Sequence, residues 1–278
     1  MNYYVNPKIP DGLTDSEENH GRSFLGYLLK YLACIAVFLI LVDVAARLLA
    51  PMMPFSWERH LVPETLLRPS FEARAMTVER ELNILGQKVA QTMDLPEDMT
   101  LTFHYSDVEM VNAFATFGGH IIVFKGLLES MESEDALAAV LAHEIGHIKN
   151  RDMVKGLVRV IGFSVMTTAI DVSSTEAATM GQAAGGMGLM SYSRSQETRA
   201  DQEATLALGR LYGHTKGLEQ CFTALKNAAG AEPPEIISSH PDTIKRIESA
   251  KALAAKRNLP TEGQTTPLPD ALKLKKTQ

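Results

Sequence analysis

The 278-residue sequence predicts a mostly helical α+β fold, a helical domain with a small β-hairpin, preceded by one helix able to cross a bilayer. Three observations carry this. Residues 24–50 are predominantly apolar over a length that suits a membrane span, which needs about 20 residues. Further along, Leu137, Val140, Leu141, Ile145 and Ile148 recur at helical spacing. Residues 111–117 and 120–124 read as two short strands meeting at Gly118-Gly119, a hairpin signal. With 45% hydrophobic and 22% charged residues, the chain can bury one substantial domain and keep flanking segments.

Taken in order, residues 1–23 are polar, acidic and contain Pro and Gly, the composition of a mobile tail. Residues 24–50 form the anchor, with an uncharged centre at 31–42; Lys30 and Arg47 can snorkel toward opposite interfaces, and Asp43 lies toward one end. A cleaved signal peptide is the competing reading, with Val44-Ala45-Ala46 as a weak cleavage site. The long acidic leader speaks against it, because a signal n-region is short and positive. Lys8, Arg22 and Lys30 on one side balance Arg47, Arg59 and Arg68 on the other, so charge leaves the orientation open. Residues 51–71, rich in Pro and aromatic side chains, read as a juxtamembrane connection. Residues 73–93 have amphipathic helical spacing and open the main domain, expected over 72–257. The apolar stretch 153–172 is interrupted by Lys155 and Arg159, which fits a buried or membrane-grazing helix better than a second span. The small-residue run 181–188 is too irregular for a phosphate loop and reads as a flexible cover. Residues 258–278 turn polar, Pro-containing and finally basic, as a mobile tail does.

The chemistry concentrates in His143-Glu144-Ile145-Gly146-His147, the pattern H-E-x-x-H. Two histidines four apart share a helical face, so both can bind one zinc while Glu144 points toward an adjacent water. Ser133 with Glu134 and Asp135 supplies an N-cap and first-turn acids for that helix. A catalytic zinc needs a third protein ligand. Glu197 and Asp201, one turn apart in a second helix-prone run, offer a ligand and a partner for the free nitrogen of a ligand histidine. Taken alone they also fit a solvated acidic face. His240-Pro241 with Arg246 fits ordinary helix initiation equally well.

The H-E-x-x-H helix followed by Glu197-Thr198-Arg199-Ala200-Asp201 resembles the zinc peptidase family that includes the heat-shock protease HtpX, the CAAX prenyl proteases and the mitochondrial inner-membrane quality-control peptidase. Residues 111–115 with 118–123, 147–152, and Ser239-His240-Pro241 with Arg246-Ile247 extend the likeness over roughly 72–255. The resemblance implies a zincin-like domain with one Zn(2+) held by His143, His147 and Glu197, with Asp201 behind a ligand histidine. Glu144 would be the general base. The strand carrying Asn112 and Ala113 would edge the cleft and hold an extended peptide by strand addition. In such relatives the matching histidine approaches the cleft and the arginine supports it. His240 would then cover the open metal position or, like Arg246, stabilise the oxyanion. The implied substrates are extended segments of misfolded or membrane-associated proteins. The implied location is a membrane, bacterial inner membrane for a single-pass relative, with the catalytic domain outside the cytoplasm.

A net charge of −6 gives no basic surface for nucleic acid, so the partners expected are polypeptide and membrane lipid. Cys34 and Cys221 lie in different apolar contexts and predict neither a disulfide nor a Cys-rich zinc site. Two rivals remain: a non-catalytic, zinc-stabilised, chaperone-like membrane scaffold, and a peptidase processing prenylated C-termini. Glu144 argues against the first, since a structural site needs no base. The single convincing span argues against the second. The sequence leaves oligomeric state and the individual target open.

Overall fold

The helix α5 (Glu134–Lys149) is the element on which the others converge, and its residues 134–148 are all buried. Its alanine-rich sequence makes that possible, because small side chains let neighbours approach on every face. Ser133 caps it by accepting a hydrogen bond from the Ala136 N–H at 3.1 Å, while Glu134 and Asp135 sit in the first turn. The computed structural model describes residues 20–62, 72–169, 192–228, 240 and 243–274.

Among the described residues, three α-helices precede the sheet in the chain. The first, α1 (His20–Leu49), begins four residues earlier than the anchor expected from sequence and takes in part of the segment read as a tail. The stretch Phe24–Met52, most of which lies in α1, is long and apolar enough to cross a membrane. The short α2 (Phe55–Glu58) lies in the juxtamembrane connection, which is therefore packed rather than a simple tether: Phe55 and Glu58 are both buried. Next comes α3 (Ala73–Ala90), whose buried face Val78, Leu82, Leu85 and Val89 has the expected amphipathic spacing.

A three-stranded sheet follows. β2 (Ala113–Ala115) pairs antiparallel with β3 (His120–Phe124), and the turn between them places Gly118 and Gly119 at φ 70° and 82°. A side chain on Gly119 would meet the Thr100 carbonyl oxygen at 2.0 Å. The hairpin is thus where sequence places it, with a shorter first strand and the second as expected. β1 (Thr102–Ser106) was not anticipated; it pairs in parallel with β3, giving the order β1-β3-β2 and leaving β2 at an edge.

After the short α4 (Lys125–Ser130) and α5, the chain turns through Arg151 at φ 57° into α6 (Asp152–Ala169), which packs along α1. The second metal motif lies on α7 (Arg194–Tyr212), opened by a reciprocal Ser193–Gln196 capping box and closed by Gly213 at φ 76°. α7 crosses α5 closely: a side chain on Gly146 would meet the Ala200 Cα at 3.1 Å. α8 (Lys216–Ala228) buries Leu218, Cys221, Phe222 and Leu225 against α5, and α9 (Thr243–Lys256) packs on α7.

The segment expected as a C-terminal tail is a correction. Residues 258–274 pack back on the domain: Leu268 and Leu272 are in the core, and Glu134 N–H donates to the Thr266 carbonyl at 2.9 Å. Two apolar anchors in an extended, Pro-containing strip suffice to hold it without periodicity. The expected cover at 181–188 and the end of the 153–172 stretch lie outside the described residues.

Candidate metal centre

Helical spacing puts His143 and His147 on one face of α5, and the close crossing at Gly146 brings α7 to that face with Glu197 and Asp201. His240, which precedes α9, completes the group. Ligand-capable atoms of His143, His147, Glu197 and His240 all lie within 4.8 Å of one another, and the four residues are buried. His143 Nε2 is 3.1 Å from both His147 Nε2 and His240 Nδ1. Glu197 Oε1 is 2.9 Å from His240 Nδ1 and 3.4 Å from His147 Nε2.

The outward nitrogens explain why the inner ones need a cation. His143 Nδ1 faces Asp201 Oδ1 at 3.0 Å, and His147 Nδ1 faces Asp152 Oδ2 at 3.1 Å. A carboxylate on each Nδ1 places the imidazole proton there, so the two Nε2 atoms turn lone pairs toward each other. Lone pairs 3.1 Å apart repel unless a proton or metal ion lies between them. The surrounding acids reinforce the demand for positive charge. Burial works against a charged His147, yet the hydrogen bonds it donates to Asp152 and Glu197 push its pKa up to about 9. Burial likewise favours a protonated Glu197, but His147 and His240 hold its carboxyl far below the usual range. Three imidazole nitrogens and one carboxylate oxygen are a donor set suited to zinc.

Arg246, on α9, supports this group from outside. Its Nε and Nη2 donate to the two oxygens of Asp201 at 2.8 Å each, and Nη1 donates to the His240 carbonyl at 3.1 Å. Burial would raise the Asp201 carboxyl, but Arg246 and His143 hold it at about 2. Nη1 of Arg246 also lies 2.9 Å from Glu197 Oε2, so the guanidinium contacts the carboxylates of both Asp201 and Glu197. Asp201 itself stands where its spacing predicts, behind His143.

Glu144 is fully buried. Its Oε2 accepts a hydrogen bond from the Ala115 N–H on β2 at 2.8 Å, while its Oε1 makes no hydrogen bond and lies 3.7 Å from His240 Nε2. Asn112 and Ala113 lie at the start of that strand, two to three residues from the Ala115 contact, and both are buried. An apolar cavity lined by Val140, Leu218, Phe222 and Leu225 opens beside His143, Glu144 and His240.

Three residues of the site escaped the sequence reading. Asp152 lies five residues past His147, beyond the helix end; only the left-handed turn at Arg151 swings it back onto the ring. Tyr192 stacks on the His147 ring at 3.6 Å between centroids, and nothing in its sequence context signals that. Ala115 contributes a backbone N–H, which any residue type carries.

A family model for peptidase family M48 matches residues 77–254. The beta-barrel assembly-enhancing protease of Yersinia pestis is 26% identical over 186 residues, covering 61% of this chain and 37% of that protein. Its counterpart in Escherichia coli (strain K12) is 25% identical over 185 residues, with the same shares. The mitochondrial metalloendopeptidase OMA1 of Saccharomyces cerevisiae is 28% identical over 153 residues, covering 53% of this chain and 44% of that one. The chain spans well under half the length of these relatives. With the model covering more than half of its residues, and with both halves of the buried His/Glu cluster inside the match, the chain belongs to peptidase family M48.

Proposed function

We propose that the chain is a membrane-anchored zinc endopeptidase that cleaves extended segments of misfolded or membrane-associated proteins. The observation that carries the reading is the buried Oε1 of Glu144, which makes no hydrogen bond and lies 3.7 Å from His240 Nε2, beside a ring of metal-suited donors. An uncompensated buried carboxylate oxygen is costly, and a general base is the role that needs one. His143, His147 and Glu197 would hold zinc, one per chain; bound there, it supplies Lewis acidity and makes water ionisable near neutral pH.

The chain's own residues do the rest. Ala115 N–H fixes Oε2 of Glu144, which keeps Oε1 oriented to take a proton from the attacking water and later deliver it to the leaving amine. β2 is the edge strand, so an extended peptide can add to it through backbone hydrogen bonds, with Asn112 and Ala113 at the entry end. The strand that holds substrate is then the strand that orients the base. Asp152 and Asp201 fix the histidine tautomers, and Arg246 positions Asp201 and the 240 segment. His240, inside the donor group, is assigned to the open coordination position, where it restrains the resting enzyme until substrate displaces it.

The catalytic unit runs from 72 to the packed C-terminal strip. Relatives named as a beta-barrel assembly-enhancing protease and a metalloendopeptidase support proteolysis as the activity; the same proposal places it in protein quality control at the bacterial inner membrane, with the catalytic domain outside the cytoplasm. The test is Glu144→Gln, purified with its metal. Zinc content and fold should be kept while cleavage of an unfolded protein falls by at least ~100-fold. Near-wild-type cleavage by that variant would remove Glu144 from its role.

A further inference from the structure

The described part of α1 leaves Leu25, Leu29, Leu32, Val37, Ile40 and Leu41 more than half exposed, the surface of a helix made for hydrocarbon. α6 runs beside it in the opposite direction. Asp43 on α1 is paired with Arg47 at 2.6 Å and with Arg159 of α6 at 2.8 Å. One turn on, Val42 packs so closely on Gly162 that a side chain there would meet it at 2.5 Å. Past this charged collar both helices lose all charge: residues 31–42 of α1 and 160–169 of α6 contain no Asp, Glu, Lys or Arg.

The charge-free end of α6 presents Ile161 and Val165, both more than half exposed, one turn apart on one face. Its hydroxyls are turned inward on the helix. Ser164 Oγ donates to the Val160 carbonyl, and Thr167 and Thr168 Oγ1 both donate to the Ser164 carbonyl, each at 2.9 Å. No hydroxyl donor on this end is left to require water, the condition hydrocarbon imposes. Ten residues rise about 15 Å, half of a hydrocarbon core of about 30 Å, so the segment is too short to span.

We propose that residues 160–169 of α6 insert beside α1 into the membrane leaflet on the catalytic side, with Ile161 and Val165 against lipid acyl chains. The inference rests on reading α1 as the membrane anchor. It gives the bilayer a second contact, continuous with the lipid-facing surface of α1. The other end of the same helix is Asp152, hydrogen-bonded to His147, so one rigid element joins the lipid contact to the metal group. From Asp152 to Arg159 it rises about 10 Å, which holds the cleft close to the membrane surface and favours polypeptide segments that emerge from it.

The test uses the full chain, with Cys34→Ser and Cys221→Ala, reconstituted in phosphatidylcholine–phosphatidylglycerol vesicles. Single cysteines at Ile161, Val165, Val37 on α1 and Thr223 on α8 each carry an environment-sensitive fluorophore. Acyl-brominated lipid should quench the labels at 37, 161 and 165 by about twofold, with little effect of aqueous iodide; the label at 223 should respond only to iodide. If 37 is quenched by bromolipid while 161 and 165 behave like 223, α1 is an anchor and the proposal for α6 is wrong. If 37 itself responds to iodide, the anchor reading fails and this proposal with it. Labels at 161 and 165 that neither quencher reaches would show that face covered by protein, which also overturns the insertion.

Discussion

His240 occupies a place no simple helix-initiating residue needs: its Nδ1 lies 3.1 Å from His143 Nε2 and 2.9 Å from Glu197 Oε1. A neutral imidazole there can complete zinc's coordination and exclude the catalytic water. Arg246 holds the 240 carbonyl, but its stronger commitment is to Asp201, so His240 can leave without dismantling the histidine support. His240→Ala should therefore raise basal proteolysis or self-cleavage at unchanged zinc content. If His240 instead stabilises the oxyanion, the same change lowers kcat with the metal retained. Steady-state kinetics with elemental analysis of this variant separates the two, and unchanged activity assigns His240 to neither. Residues that act through side chains at helical spacing were legible in the sequence: His143, Glu144, His147 and the Glu197/Asp201 pair all meet as their intervals imply. Asp152 and Tyr192 were not, since the contact of one depends on a left-handed turn and that of the other on a 45-residue return of the chain.

At the level of elements, the junction of α5 and α6 is locked to the segment that follows α1. Arg151 Nε lies 2.9 Å from Glu58 Oε1, its Nη2 donates to the Met53 carbonyl at 2.6 Å, and its guanidinium covers the Phe55 ring. Glu58 Oε2 in turn accepts from the Gly118 N–H of the hairpin turn at 3.1 Å. One buried ion pair thus connects α2, the β2–β3 hairpin and the end of α5. Burial pushes the Glu58 carboxyl pKa upward, against the pull of Gly118 and Arg151, so this charge depends on its partners. Arg151→Ala should destabilise the chain by about 3–5 kcal/mol, the cost of leaving one member of a buried pair alone. Glu58→Gln, which keeps an acceptor for Gly118, should cost less. Denaturant midpoints of the two variants check the ordering, and equal losses would mean that the Gly118 bond contributes little. This link was invisible in sequence because residues 51–61 have neither helical nor strand periodicity. β1 was missed for a related reason: its parallel partner β3 lies beyond the intervening β2, so no local turn signal announces it.

Across the whole molecule the donor group is what brings distant parts of the chain together: α5, α7 and the residue before α9 contribute ligand-capable atoms, and the order of motifs along the sequence made that convergence readable before its geometry was. The packing of 258–274 was not readable, because Leu268 and Leu272 are isolated apolar residues in a polar strip. Without a cation, the facing His143 and His147 lone pairs and the Glu197 carboxylate are left in a buried group, and position 240 is held to α5 and α7 by its polar contacts with His143 and Glu197 and by the Arg246 bond. Metal should therefore stabilise the native state, by about 2.7 kcal/mol when free zinc stands at 100 times its Kd. For a domain of this size that corresponds to a fall in Tm on chelation of roughly 5–10 °C. The loss should be reversed by zinc and shared by Glu144→Gln, whose metal donors are intact, whereas Glu197→Ala should start low and respond little to chelator. Differential scanning calorimetry of the three proteins with and without chelator measures this, and a Glu197→Ala chain with full zinc occupancy and a wild-type chelation shift would show that Glu197 is not a ligand.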